Sequence, residues 1–108
     1  MNFRNNKSCI DACLNCIAAC NYCASSCTRE ENVSMMATCI RLDLECAAIC
    51  LAAVQMMSIG SSKAKEICLI CAEICTRCAE ECEKHDNEHC RLCAHTCRIC
   101  AEQCRKML

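Results

Sequence analysis

The chain is patterned by cysteine more than by leucine or isoleucine. Cys9, Cys13, Cys16, Cys20, Cys23 and Cys27 form one run and Cys39, Cys46 and Cys50 a second. Cys68, Cys71, Cys75, Cys78 and Cys82 form a third, and Cys90, Cys93, Cys97, Cys100 and Cys104 a fourth. Steps of three and four residues recur, averaging about 3.5, the period of an a/d seam in a helix bundle. Each run therefore places its thiols along one stripe of one helix. The four runs predict four helices, over about 6–29, 33–58, 62–84 and 87–107.

Beside each cysteine stripe lies an ordinary apolar one: Ile10, Leu14 and Ile17; Ile40, Leu44, Ala47 and Leu51; Ile67, Ile70 and Ile74; Leu92 and Ile99. Two adjacent stripes give each helix a wider apolar face than one small bundle covers, so self-association is expected. Polar residues punctuate the helices. Ser8 and Asp11 have capping-box spacing, Asn32 or Ser34 is placed to cap the second helix, and Ser61 and Ser62 to cap the third. Gly60 stands where a left-handed residue closes the second helix. Short connections such as 84–88 favour antiparallel neighbours, so the expected fold is all-α: an antiparallel up-down-up-down four-helix bundle with a cysteine-lined core, in one domain over 1–108.

Composition supports helix and removes several functions. There is no Pro, one Gly and no Trp, too little turn and aromatic material for a sheet protein. The 19 cysteines equal the Leu, Ile, Val and Phe residues together, so thiols supply as much of the interior as ordinary core residues do. A net charge of −1 makes no electrostatic case for nucleic acid or an anionic membrane. The first residues lack the apolar run of a secretory signal and no stretch approaches a membrane span, so the expected location is the cytoplasm. A disulfide scaffold would be secreted, loop-rich and well supplied with Gly and Pro, and an odd number of cysteines fits it poorly.

The spacing carries chemistry. Pairs at i and i+4, such as 9/13, 16/20, 23/27, 46/50, 71/75, 78/82, 93/97 and 100/104, put two thiols on one helix face. Each pair suits a soft ion content with two or three thiolates, which points to Cu(I), whereas Zn(II) wants four in a tetrahedron. Charge agrees: a core of ionised thiolates is prohibitive without counter-ions, and a monovalent ion per thiolate neutralises it. Multiple Cu(I) ions are thus the expected ligand, and all 19 cysteines the expected metal ligands. A Zn or Cd thiolate sequestration protein of the same fold is the alternative, and a redox or structural thiol protein a third reading. Iron–sulfur motifs need loops rather than continuous helices. The repeated Cys-x-x-Cys lacks the βαβ setting of a redox centre, and no catalytic constellation stands out, so an enzyme is not expected.

With segments such as Cys16-Ile17-Ala18-Ala19-Cys20, Cys71-Ala72-Glu73-Ile74-Cys75 and Cys93-Ala94-His95-Thr96-Cys97 in view, the whole chain resembles the four-helix-bundle bacterial copper storage protein family, in its cytosolic branch. The resemblance implies Cu(I) held by thiolates along the bundle axis, a homotetramer, and a storage or sequestering role, with a copper chaperone or efflux system as exchange partner. The second helix departs from full cysteine lining, with Met36, Cys39, Asp43, Cys46, Cys50, Ala53 and Met57 in register. Its far end, with Val54, Met57 and Ile59 near Cys9, Cys68 and Cys104, reads as an apolar plug. Its near end meets Cys27, Cys82 and Cys90, so Met36, His85 and His89 are the candidate residues for metal admission. Asp43 is given no ligand role and His95 is expected on the surface.

Overall fold

In the computed structural model the backbone is described for residues 3–108 and the side chains for residues 6–108. Four α-helices account for most of it: α1 (Phe3–Cys27), α2 (Ala37–Ser58), α3 (Ala64–Cys82) and α4 (Glu88–Lys106), with a short 3₁₀ helix, Val33–Met36, leading into α2. Each helix packs on two neighbours, α1 on α2 and α4, α3 on α2 and α4. Short links make successive helices antiparallel, giving a square bundle 46 × 18 × 17 Å in extent.

Local chemistry explains most of the helix ends. Gly60, at φ 67°, closes α2: its N–H donates to the Met57 carbonyl at 3.2 Å, and the Ser61 N–H to Met56 at 2.9 Å. That paired arrangement is the Schellman motif, and the positive φ is the reason for glycine there. Helix α1 runs through the expected Ser8–Asp11 capping box, because nothing upstream breaks it. Lys7 instead pairs with Asp11 one turn on, at 2.7 Å. Asn32 precedes the 3₁₀ turn and Met36 precedes α2, neither making a side-chain cap. Ser61 accepts the Lys63 N–H through Oγ at 3.1 Å, a turn that leads into α3 at Ala64.

All 19 cysteines are buried. They fill the axis, joined on α2 by Ala53 in their register, and alanines seal the seams between helices: Ala12 and Ala19 on α1, Ala47 on α2, Ala72 and Ala79 on α3, Ala94 and Ala101 on α4. Small side chains in both places let the backbones approach closely. The second apolar stripe is consequently divided. Ile10 is buried and Ile17, Ile40, Ile67 and Ile74 are partly so, whereas Leu14, Leu44, Leu51, Ile70, Leu92 and Ile99 are exposed. A thiol core so narrow leaves no room for these larger groups. Because a thiol buries less apolar surface than the ~1.5–3 kcal/mol side chains of an ordinary core, hydrophobic stabilisation per residue is modest.

Candidate metal centre

The thiols form one continuous ladder. Within helices, sulfurs four residues apart are close: Cys16 to Cys20 3.9 Å, Cys71 to Cys75 3.8 Å, Cys93 to Cys97 3.9 Å. Between helices they are at least as close: Cys46 to Cys75 3.4 Å, Cys16 to Cys46 3.6 Å, Cys20 to Cys97 3.6 Å, Cys13 to Cys100 3.6 Å. The expected pairs on single helices are thus only part of the arrangement, because four stripes facing one narrow axis pool their sulfurs. Ligands about 2.3 Å from a common ion stand about 3.8 Å apart in a tetrahedron and about 4.0 Å apart in a trigonal plane. The ladder is spaced for shared ions without large movement.

Four-sulfur groups recur along the axis: Cys13, Cys71, Cys100 and Cys104; Cys16, Cys46, Cys50 and Cys75; Cys16, Cys20, Cys46 and Cys97; Cys20, Cys78, Cys93 and Cys97; Cys23, Cys27, Cys39 and Cys90. Cys16 and Cys46 belong to two of these groups, as do Cys20 and Cys97. The groups therefore cannot all be filled as separate four-coordinate sites, and only bridging thiolates use them together.

Asp43 stands inside this ladder, fully buried on α2. Its Oδ1 accepts from Cys93 at 3.2 Å, Cys78 at 3.3 Å and Cys82 at 3.6 Å, and its Oδ2 from Cys39 at 3.9 Å. Burial first, and then the negative charge available at Cys93 and Cys78, push its carboxyl up to about 10. Asp43 therefore keeps its proton in the metal-free core at neutral pH. The seam register placed it beside the thiols, but the residue type alone did not disclose four sulfur partners.

The two ends of the ladder differ. At the end formed by the α1–α2 and α3–α4 links, the His89 Nδ1 lies 3.5 Å from Cys23, 3.5 Å from Cys90 and 3.8 Å from Cys27. Its side chain keeps 10% exposure, so the ring spans solvent and thiols. His85 is brought to the same end but binds Glu81, Nε2 to Oε2, at 3.0 Å. Met36 is buried there and Met35 is exposed. Burial pushes the Cys27 thiol up to about 11 and raises Cys90, whereas Cys39, accepting from Cys23 and Cys82, is lowered. His95 lies on the exposed face of α4.

At the other end Cys9 faces Cys104 at 3.7 Å above a fully buried Met57. Val54 is partly buried, but Ile59 is 75% exposed, since the chain turns outward there to reach Gly60. Asn6 takes the inner place: it is buried and its Nδ2 donates to the Met57 carbonyl at 3.3 Å, tying α1 to α2. Neither Asn6 nor Glu30, which holds the outer nitrogen of His89 at 2.9 Å, was singled out by sequence patterning. Asn6 continues the cysteine register one step before Cys9 and Glu30 one step after Cys27, just beyond α1, but both stand in polar segments that read as solvated.

This arrangement has close counterparts. The family described as "Copper storage protein" matches residues 2–108. The cysteine-rich protein YhjQ of Bacillus subtilis is 50% identical over 83 residues, 77% of each chain. The Cu(I)-bound copper storage protein BsCsp3 superposes with a TM-score of 0.90 at 50% identity, over 94% of this chain and 95% of that one. A cytosolic copper storage protein of Streptomyces lividans, holding five coppers, superposes with a TM-score of 0.93 at 36% identity, over 95% and 91% of the two chains. On sequence and on architecture, the chain belongs to the copper storage protein family.

Proposed function

We propose that this protein stores Cu(I) in its core at about one ion per cysteine, with all 19 thiols as ligands. The observation that carries the reading is the sharing of Cys16, Cys46, Cys20 and Cys97 between four-sulfur groups. Shared sulfurs bridge ions, and one monovalent ion per bridging thiolate leaves the filled core neutral. The metal-bound relatives hold copper in the same architecture. The role is to retain the metal rather than to catalyse a reaction, in keeping with the family's description.

The four-sulfur groups themselves favour a second reading, Zn(II) or Cd(II) sequestration, because their S···S spacing also suits a tetrahedral ion. A discrete four-thiolate site around a divalent ion keeps a charge of about −2, which is costly to repeat along a buried axis. Competition decides between the two readings. Reduced protein offered equal excesses of Cu(I) and Zn(II) under anaerobic conditions should retain Cu(I) and release Zn(II); retained Zn(II) would reverse the assignment.

Metal is admitted at the end with Met36, His85 and His89, and His89 makes first contact because its ring reaches both solvent and thiols. Met36 is fully buried, so its thioether acts behind the mouth. The exposed Leu44, Leu51, Leu92 and Ile99 support assembly of the bundles into a homotetramer. A cytoplasmic location is supported by likeness to the cytosolic Streptomyces protein, and no helix is long and apolar enough to cross a membrane among the described residues. Exchange then runs through a copper chaperone or efflux system that presents Cu(I) at this mouth.

A further inference from the structure

Two histidines share the mouth, and each has its Nε2 on a glutamate, yet only one faces the thiols. His85 is paired with Glu81, one turn before it at the end of α3. His89 is paired with Glu30, which comes from a different part of the chain, the link between α1 and α2. The Glu30 N–H donates to the carbonyl of Cys27 at 3.3 Å, so the turn that carries this carboxylate is tied to one of the thiols the histidine faces.

The pairing has a chemical consequence. A carboxylate only accepts hydrogen bonds, so the ring nitrogen 2.9 Å from Glu30 Oε2 carries the proton. In the neutral ring the lone pair is then on Nδ1, and Nδ1 is the atom facing Cys23, Cys27 and Cys90 at 3.5 to 3.8 Å. A nitrogen and a sulfur about 2.0 and 2.3 Å from a common trigonal ion are separated by about 3.7 Å. The nitrogen is therefore already at ligand distance for an ion shared with a mouth thiolate. Carboxylates behind metal-binding histidines fix the tautomer, hold the ring and raise the basicity of the free nitrogen.

We infer that Glu30 is a positioning residue for metal uptake: it accepts the Nε2–H of His89, commits the neutral ring to that tautomer and directs Nδ1 at Cys23, Cys27 and Cys90. The inference rests on the reading that His89 admits the metal. Glu30 contributes no ligand to the stored ions and stays partly exposed on the link, at 32%. Its influence is confined to the first ions entering, and capacity belongs to the thiols.

The test uses reduced, metal-free full chain in three variants: Glu30→Ala, Glu30→Gln and His89→Ala. Long-range proton–nitrogen NMR correlations report the tautomer of His89, and transfer of the first Cu(I) equivalent from a coloured chelator reports uptake. Glu30→Ala should give mixed tautomers and transfer slowed about tenfold, with saturation unchanged. Glu30→Gln, of equal size and still offering an acceptor oxygen, should keep the Nε2–H tautomer and a rate within about twofold of wild type. A single Nε2–H tautomer persisting in Glu30→Ala, or a Gln variant as slow as the Ala one, would overturn the inference. If His89→Ala slows transfer and Glu30→Ala does not, the role of Glu30 fails and uptake at His89 stands. If His89→Ala itself transfers at the wild-type rate, both fail together.

Discussion

The Cys93 sulfur lies 3.2 Å from Asp43 Oδ1, inside a core that otherwise presents sulfur to sulfur. Because burial raises the Asp43 carboxyl to about 10, folding takes up a proton there that the unfolded chain releases near its ordinary value of 3.8. At this carboxyl the native state binds more protons, so its contribution to apoprotein stability is greatest at low pH and falls as pH rises through that window, by at most about 1.4 kcal/mol per pH unit. Asp43→Asn removes that contribution. Its urea midpoint should gain on wild type as pH is raised from 6 to 8, and equal gaps at the two pH values would contradict the burial of an ionisable carboxyl.

Loading should expel protons. The Cys27 thiol, raised to about 11 by burial, is protonated before metal arrives, and a bound thiolate cannot keep its proton. Cu(I) added to weakly buffered apoprotein should acidify it by up to about one proton per ion. Apparent affinity should weaken by up to about tenfold per unit of acidification. Thiols lowered by their neighbours, such as Cys39, contribute less. Uptake without acidification would mean that the thiols were already ionised.

His89→Ala should slow the first Cu(I) transfers about tenfold, whereas His85→Ala, whose ring is held by Glu81, should change them less than about threefold. Stopped-flow mixing with a Cu(I)–chelator complex separates the two. Neither change should alter the final amount bound. Equal slowing by both variants would place the uptake path across the whole link rather than at His89.

Metal should also hold the fold. Thiols give the bundle modest hydrophobic stabilisation, and ions that bind only the folded ladder add free energy in proportion to the logarithm of their excess over the dissociation constant, about 4 kcal/mol at a thousandfold excess. The Tm of Cu(I)-loaded protein should exceed that of apoprotein by more than about 10 °C, reversed by a Cu(I) chelator. An unchanged Tm would place the metal outside the core.

The bundle and its sulfur lining were legible in the sequence because three-and-four spacing has one structural meaning on a helix, and the runs ended at clear punctuation such as Gly60. The pooling of sulfurs between helices was not, since spacing along one helix does not report how near the facing stripe stands: Cys46 and Cys75 are 3.4 Å apart across 29 residues of chain. Asp43 fell on the seam without disclosing its partners, because all of them but Cys39 come from two other runs, Cys78 and Cys82 from the third and Cys93 from the fourth. Glu30 and Asn6 were missed for a different reason, although each continues the spacing of the first run by one step. Each acts by a single long-range hydrogen bond from a polar segment, and polar segments all look solvated until the fold is closed.

Anaerobic titration of fully reduced apoprotein with Cu(I), in competition with a coloured chelator, measures whether the ladder fills with a monovalent ion at close to one per thiol. The chelator complex should stay absent until about 19 equivalents have been added, one for each cysteine. A break near five equivalents, about one ion per four sulfurs, would contradict it and describe isolated tetrahedral sites instead.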